Sequence, residues 1–418
     1  MTSETYGYQG MRRRIFTKSF FVLFFLSLVG LFFIGVRFIK GIGAVSNLSD
    51  GYPWGIWVAY DVAIGTAIAC GGYAVAVLTY IMNRGEYHPL VRSAILTSLF
   101  GSCLAALSVV VDIGRPWNAF FVPTRWQPAS ALFELALCVA GYLVAQGIEF
   151  LPAILGSIER GRPMLLRKVA LRLLPRRFSP ESIADGSLDA ACSYLYPRLN
   201  RALICIAVAG IVLPTMHQSA LGSLMLIAST KLHPLWHSPF LPLLFLINCI
   251  YIGYAMVILE SILSSFLLLR DYQSSALAGL GRMIPWLTCS WILIRVGDLV
   301  HRDQISAVFH GDLYSYFFLA EFFLMAFGAL SLFRRASRRS PRRLFLSAAL
   351  MLIGGGLYRF NVYLIGFNPG TGWHYFPSFA EVMISVGIVA VELLAYQLLI
   401  KILPLPSDRQ LHCSDSLH

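Results

Sequence analysis

The 418-residue sequence predicts an all-α integral membrane protein with about ten transmembrane helices. Three observations carry that prediction: the composition, the spacing of apolar runs and the placement of basic residues. Hydrophobic residues make up 57% of the chain and charged residues 13%, and the mean hydropathy is +0.69. Soluble proteins carry about 25% charged residues, so this chain has too little polar surface to cover its apolar side chains in water. The net charge of +12 would suit a nucleic-acid partner, but the Lys and Arg residues sit in short loops between apolar runs. That distribution fixes orientation in a lipid bilayer, and nucleic-acid binding is set aside.

A helix needs about 20 apolar residues to cross roughly 30 Å of hydrocarbon. Ten segments qualify: 18–38, 54–82, 90–113, 129–152, 199–228, 240–269, 282–301, 313–333, 343–366 and 379–403. Several exceed the minimum, so tilts or kinks are expected, with Pro214 marking one in the fifth helix. An even number of spans puts both termini on one side. If that side is the cytoplasm, the inside segments hold 25 Lys and Arg residues. The outer loops hold six: Arg37, Lys40, Arg115, Arg125, Lys231 and Arg302. The bias predicts a multi-pass protein of the bacterial inner membrane with both termini cytoplasmic. Residues 1–17 then form a cytoplasmic N-terminus, 18–403 the transmembrane domain and 404–418 a cytoplasmic tail. The one long loop, 153–199, is expected to lie on the acidic lipid surface. The run Arg13-Arg14-Ile15-Phe16-Thr17-Lys18 loosely resembles a twin-arginine export signal. The apolar stretch after it is long and lacks a small-residue cleavage site, so an uncleaved anchor is expected.

Eight cysteines are scattered with no Cys-x-x-Cys pair, and six fall inside apolar runs, where a thiol behaves as a small hydrophobe. Their spacing suits neither an iron–sulfur cluster nor a zinc site. An electron-carrying cluster would have to come from a partner.

Ionisable groups inside membrane helices are costly and mark function by default. Asp61, Asp112, Glu134, His217, Asp298, His301, Glu321, Arg359 and Glu381 fall in the outer half under this topology. Glu149, Glu260 and Glu392 fall centrally or in the inner half. The asymmetry predicts a protein that works near its outer face, with mutual pairing for helix packing as the structural alternative. Gly51-Tyr-Pro-Trp-Gly-Ile-Trp57, Asp112-Ile-Gly-Arg-Pro-Trp-Asn118 and Asn368-Pro-Gly-Thr-Gly-Trp-His-Tyr-Phe-Pro377 shape the outer loops. Their tryptophans suit an interfacial belt or a docking surface. His217 lies about 18 residues into the fifth helix, roughly 27 Å from the inner face at 1.5 Å per residue. A histidine there can protonate a quinone carbonyl, bind haem or serve as a structural hydrogen bonder. A bis-histidine haem needs a facing partner, and the other histidines lie in loops or at helix ends.

Gly51–Asp61 with Cys70-Gly-Gly-Tyr73, and Asp112–Asn118, resemble the NrfD/polysulfide-reductase family of membrane subunits. Thr215-Met-His-Gln-Ser219, Leu232-His-Pro-Leu-Trp236 and Tyr358-Arg-Phe-Asn-Val-Tyr363 resemble its HybB branch, the hydrogenase 2 membrane subunits labelled b-type cytochromes. The resemblance implies two four-helix bundles with peripheral helices, menaquinone or ubiquinone as substrate, and no haem in most members. It further implies a periplasmic ferredoxin-like iron–sulfur subunit and, upstream, nickel–iron hydrogenase large and small subunits or another dehydrogenase.

The quinone headgroup is therefore expected among His217, Asp61, Asp112 and Arg115, with Trp54 in the wall. Glu149, Glu260 and Glu392, with Arg295 near them in depth, are expected to conduct cytoplasmic protons to it, since a buried carboxyl can hold and pass a proton. A secondary transporter and a haem b cytochrome subunit are the rival classes. A transporter would cluster its polar groups at the midplane.

Overall fold

Ten helices are long and apolar enough to cross a membrane, and they fall where the sequence places them. The computed structural model describes residues 18–122, 124–159, 186–268 and 273–402. The N-terminal segment, the centre of the long loop and the tail from 403 lie outside the described residues. In chain order the spans are α1 (Lys18–Lys40), α2 (Trp57–Ile81), α3 (His88–Asp112), α4 (Ala131–Glu159) and α5 (Gly186–Ile227). They continue with α6 (Leu241–Leu268), α7 (Ser274–His301), α8 (Leu313–Phe333), α9 (Pro341–Ile365) and α10 (Phe379–Ile402).

Helices α4 and α5 run past the membrane length into what composition reads as loop 153–199, so that segment is helical at both ends. Polar composition sets where the apolar layer ends. It does not set where the helix ends.

Helices α2–α5 form one bundle and α6–α9 a second, with α6 packed against α2, α3 and α5 where the bundles meet. At that seam a Cβ on Gly71 of α2 would stand 2.9 Å from the carbonyl oxygen of Gly253 on α6. Two bare glycines let the backbones touch, as small residues do in lipid, where apolar area alone gives no drive to associate. Outside the bundles α1 packs along α10, and α10 packs on α3. The α1–α10 crossing again rests on two glycines: a Cβ on Gly387 would fall 2.4 Å from Cα of Gly30.

Three stretches widen from α- to π-helical geometry: Trp57–Val62 and Val77–Ile81 in α2, and Asn361–Ile365 ending α9. A π-turn holds more residues per turn and shifts the angular phase of every side chain beyond it. The loops joining α1–α2, α3–α4, α5–α6, α7–α8 and α9–α10 share one end of the molecule. There the loop after α5 pairs with the loop after α9. Leu232 and Phe367 form an isolated antiparallel bridge, and the His233 N–H donates to the Gly366 carbonyl at 2.7 Å.

Candidate functional site

His217 stands on α5, facing the interior of the first bundle. Thr66 and Cys70 of α2, Ser102 of α3, Cys138 and Tyr142 of α4, and Pro214 and Gln218 of α5 line a narrow cleft with it. The cavity between them is small, about 10 Å³. Gln218 donates to the Thr66 hydroxyl at 3.0 Å, and Thr66 in turn donates to the Val62 carbonyl at 2.6 Å. The amide oxygen of Gln218 is buried without a hydrogen-bond partner, and the His217 ring is buried with the Leu135 backbone as its neighbour, outside ideal hydrogen-bond geometry. An unpartnered group of this kind costs about 1–3 kcal/mol. The space left between these groups is about that of one water molecule.

Beyond the cleft, α4 carries Tyr142, Gln146 and Glu149 along one face. Gln146 is buried with neither amide atom partnered. Glu149 faces Gly210 of α5, where a Cβ would come within 3.1 Å of its carboxylate.

The structure does not gather the five expected quinone residues into one cluster. Asp61 sits in the widened first turns of α2 and points away from the cleft, toward the last helix, where the Ser385 hydroxyl donates to it at 2.8 Å. Asp112 ends α3 beside Arg37, whose guanidinium donates to the carbonyls of Val111 (2.6 Å) and Ile113. Arg115 is exposed. Trp54 donates to the Tyr363 carbonyl at 3.1 Å, and the Tyr363 hydroxyl donates to the Leu221 carbonyl at 2.9 Å, one turn above His217. Of the four, Trp54 is thus the one tied by hydrogen bonds to the His217 helix.

The expected proton residues separate as well. Glu260 of α6 accepts from Thr97 of α3 at 2.7 Å and from the Tyr396 hydroxyl of α10. Glu392 lies one turn before Tyr396, within electrostatic reach of Asp61. Arg295 is elsewhere. It is fully buried in the second bundle, donates to the Leu235 carbonyl, and keeps Nε and Nη1 unpartnered.

That second bundle has its own polar centre. Glu321 accepts from Asn361 at 2.6 Å and from the Trp236 indole at 3.2 Å. Arg359, fully buried, donates to Asn248 Oδ1 (2.5 Å) and to the carbonyls of Phe245 (2.6 Å) and Ala63 (2.9 Å). Its charge thus bridges the two bundles through α2.

At the loop end Glu381 accepts from the Tyr375 hydroxyl and the Ser378 N–H, both at 2.7 Å, and from the Asn47 N–H at 3.1 Å. Burial, then the hydrogen bond to Glu381, pushes the Tyr375 phenol well above its usual range. His233 stacks on Tyr314 at 4.2 Å, and burial lowers its imidazole below the ordinary value of 6.5.

Sequence reasoning did not single out Thr66, Tyr142, Gln146, Ser385 or Tyr396. Their signal was periodic: a polar residue every three to four positions on an otherwise apolar helix. Among the described residues, no three of His, Cys, Asp and Glu gather as metal ligands.

Residues 44–368 match the family described as Polysulphide reductase, NrfD. The chain is 39% identical to the "Probable Ni/Fe-hydrogenase 2 b-type cytochrome subunit" of Escherichia coli (strain K12), over 95% of this chain and 94% of that protein. It is 29% identical to the "Menaquinone reductase, integral membrane subunit" of Nitratidesulfovibrio vulgaris, over 31% of each chain. It is 19% identical to a selenate reductase subunit of Mesobacillus selenatarsenatis, over 92% of this chain and 93% of that one.

Proposed function

The chain belongs to the NrfD polysulphide reductase family, and from that premise we propose that it is the quinone-reacting membrane subunit of a respiratory complex. Its relatives are named as subunits of a hydrogenase, a menaquinone reductase and a selenate reductase. Similarity along nearly the whole chain to the hydrogenase subunit favours a nickel–iron hydrogenase as the upstream enzyme, with an iron–sulfur subunit between.

One observation supports the quinone assignment: the buried His217 ring and the unpartnered Gln218 oxygen side by side in a cleft of the first bundle. In this scheme His217 donates to one quinone carbonyl, and Gln218 accepts from the hydroxyl that forms. Two electrons from the partner's cluster and two protons convert quinone to quinol. Glu149, across Gly210 from α5 and two turns from His217, is the expected acid on this side of the bundle and supplies protons through Gln146 and Tyr142.

The protein sits in the inner membrane with the loop-bearing end outside and both termini inside, on the strength of the basic bias. Cysteines placed at Trp126 and Arg339 should then label from opposite faces of intact cells. Trp54 and the exposed Trp117 and Trp126 lie at the outer end, where the iron–sulfur partner docks.

The deciding experiment uses the whole complex. His217→Ala should abolish quinone reduction while upstream turnover with an artificial dye continues. Quinone reduction at the normal rate in that variant would sink the assignment.

A further inference from the structure

The end of the second bundle opposite the α7–α8 loop gathers arginines without acids to neutralise them. Between Glu321 and Glu381 the sequence has no acidic residue, and six arginines fall within Arg334–Arg343. A basic excess at one end orients a membrane protein and by itself requires no ligand. Here the fold does more, because it packs three arginines from two segments into one place.

Helix α8 stops at Phe333 and α9 starts at Pro341, with a single helical turn, Arg335–Arg339, between them. Arg338 folds back from that link. Its Nη1 donates to the carbonyls of Leu332 (2.6 Å) and Phe333 (2.9 Å), capping the last turn of α8. Its aliphatic stem lies on Gly281 of α7, where a Cβ would stand 3.6 Å from it. Arg282 follows on α7, and both Arg282 and Arg335 lie within electrostatic reach of Arg338. Partial burial, then these two charges, pulls the Arg338 guanidinium below its ordinary value. Among the described residues, no carboxylate forms an ion pair with any of the three. Glu86, on the link between α2 and α3, is held by the Tyr87 hydroxyl, with Arg84 and Arg282 in reach of that same tyrosine.

Like charges held together need a counter-ion, and a guanidinium matches a phosphate with two parallel hydrogen bonds. The surface beside the arginines is aromatic. Trp286, one turn along α7 from Arg282 and on the same face, is 65% exposed and meets the exposed Phe333 ring edge-on at 5.6 Å. Tryptophan sits at the headgroup level of a bilayer, with the acyl chains beyond it. A free anion would use the arginines alone, whereas the aromatic step next to them fits a ligand that is phosphate at one end and hydrocarbon at the other.

We propose that Arg282, Arg335 and Arg338 form a seat for the phosphate of an anionic phospholipid, whose acyl chains run down past Trp286 and Phe333. Basic pockets between spanning helices hold lipid headgroups in this way. The lipid ties the α8–α9 link to the end of α7 and braces the second bundle at the end opposite its long loops. It touches none of the residues assigned to quinone, so it stands or falls independently of that assignment.

The test follows the melting temperature of the purified full chain in uncharged detergent as phosphatidylglycerol, phosphatidylcholine or inorganic phosphate is titrated in. Phosphatidylglycerol should raise the wild-type melting temperature to a plateau, and the other two should not. Each arginine near an anionic surface is worth roughly fivefold in affinity. The Arg282→Gln, Arg335→Gln double variant should therefore need about thirtyfold more phosphatidylglycerol to reach half its plateau. Lys18→Gln removes one charge at the same end, on the peripheral α1, and should titrate like the wild type. If the double variant is not recovered, Arg282→Gln alone decides, with a shift of about fivefold. An equal rise with inorganic phosphate would give the seat to a free anion and overturn the lipid. An equal rise with phosphatidylcholine, no rise with phosphatidylglycerol, or an unchanged titration in the arginine variants would overturn the seat itself.

Discussion

Ser385 donates its hydroxyl hydrogen to Asp61 at 2.8 Å, joining the last spanning helix to the first turns of α2. The bond depends on the angular setting of α10, which its contacts with α1 and α3 hold in place. Polar pairs inside lipid contribute modestly, about 0.6 kcal/mol on average. Close backbone packing therefore has to hold most of the alignment.

That packing should be sensitive to a single methyl group at the glycine crossing. Gly387→Ala places a Cβ about 2.4 Å from Cα of Gly30, backbone that can yield only if the helices separate. A loss of about 1–3 kcal/mol is expected, read as a lower melting temperature in detergent. Gly35, on the same helix as Gly30, has open space around it, and Gly35→Ala should melt no earlier than the wild type.

Arg359 should prove the least replaceable side chain between the bundles. Arg359→Met would strand Asn248 Oδ1 and the carbonyls of Phe245 and Ala63, a cost of about 3 kcal/mol or more. Arg359→Lys restores the charge but not the fork that reaches three acceptors at once. Thermal unfolding of the two variants should rank methionine below lysine and lysine below the wild type.

The junction between the loops after α5 and α9 should loosen in acid. Burial holds His233 below 6.5, with the Asp312 charge opposing and the His310 charge reinforcing that shift. A folded-state value below the unfolded one means that the fold favours neutral imidazole. That stabilisation is complete above the unfolded value and disappears as pH falls through the folded one. The geometry agrees, because Nδ1 accepts from the Leu235 N–H at 3.3 Å and protonation removes that acceptor. Amide exchange around residues 232–237 and 366–368, corrected for its intrinsic pH dependence, should quicken below 6.5 in the wild type. His233→Asn keeps an acceptor without a titrating ring and should respond less.

The isolated subunit should bind no stoichiometric haem. A bis-histidine haem needs two histidines facing each other within the membrane. Among the described residues, His217 lies within a span, His301 ends α7, and His88, His233, His237, His310 and His374 lie in loops or at helix ends. A pyridine haemochrome assay on the purified protein checks this. One haem per chain, lost in His217→Ala, would reverse the assignment of that residue.

The sequence by itself determined the ten spans, the depth of His217 in the fifth and the even number of crossings. Each follows from a local sum over about 20 residues, since the cost of placing a segment in hydrocarbon depends on its own side chains. Only the tertiary structure decided which polar groups meet. Asp61 and His217 share a depth range in the sequence, but the π-turn at Trp57–Val62 resets the phase of α2. Asp61 then faces Ser385, while Thr66 faces Gln218. Arg295 matches the inner carboxylates in nominal depth, yet it lies in the other bundle, with its guanidinium on the Leu235 carbonyl. Partners such as Glu260 and Tyr396 are 136 residues apart. Helix rotation and bundle membership are set by contacts between distant segments, through glycine crossings and widened turns that a one-dimensional pattern does not contain.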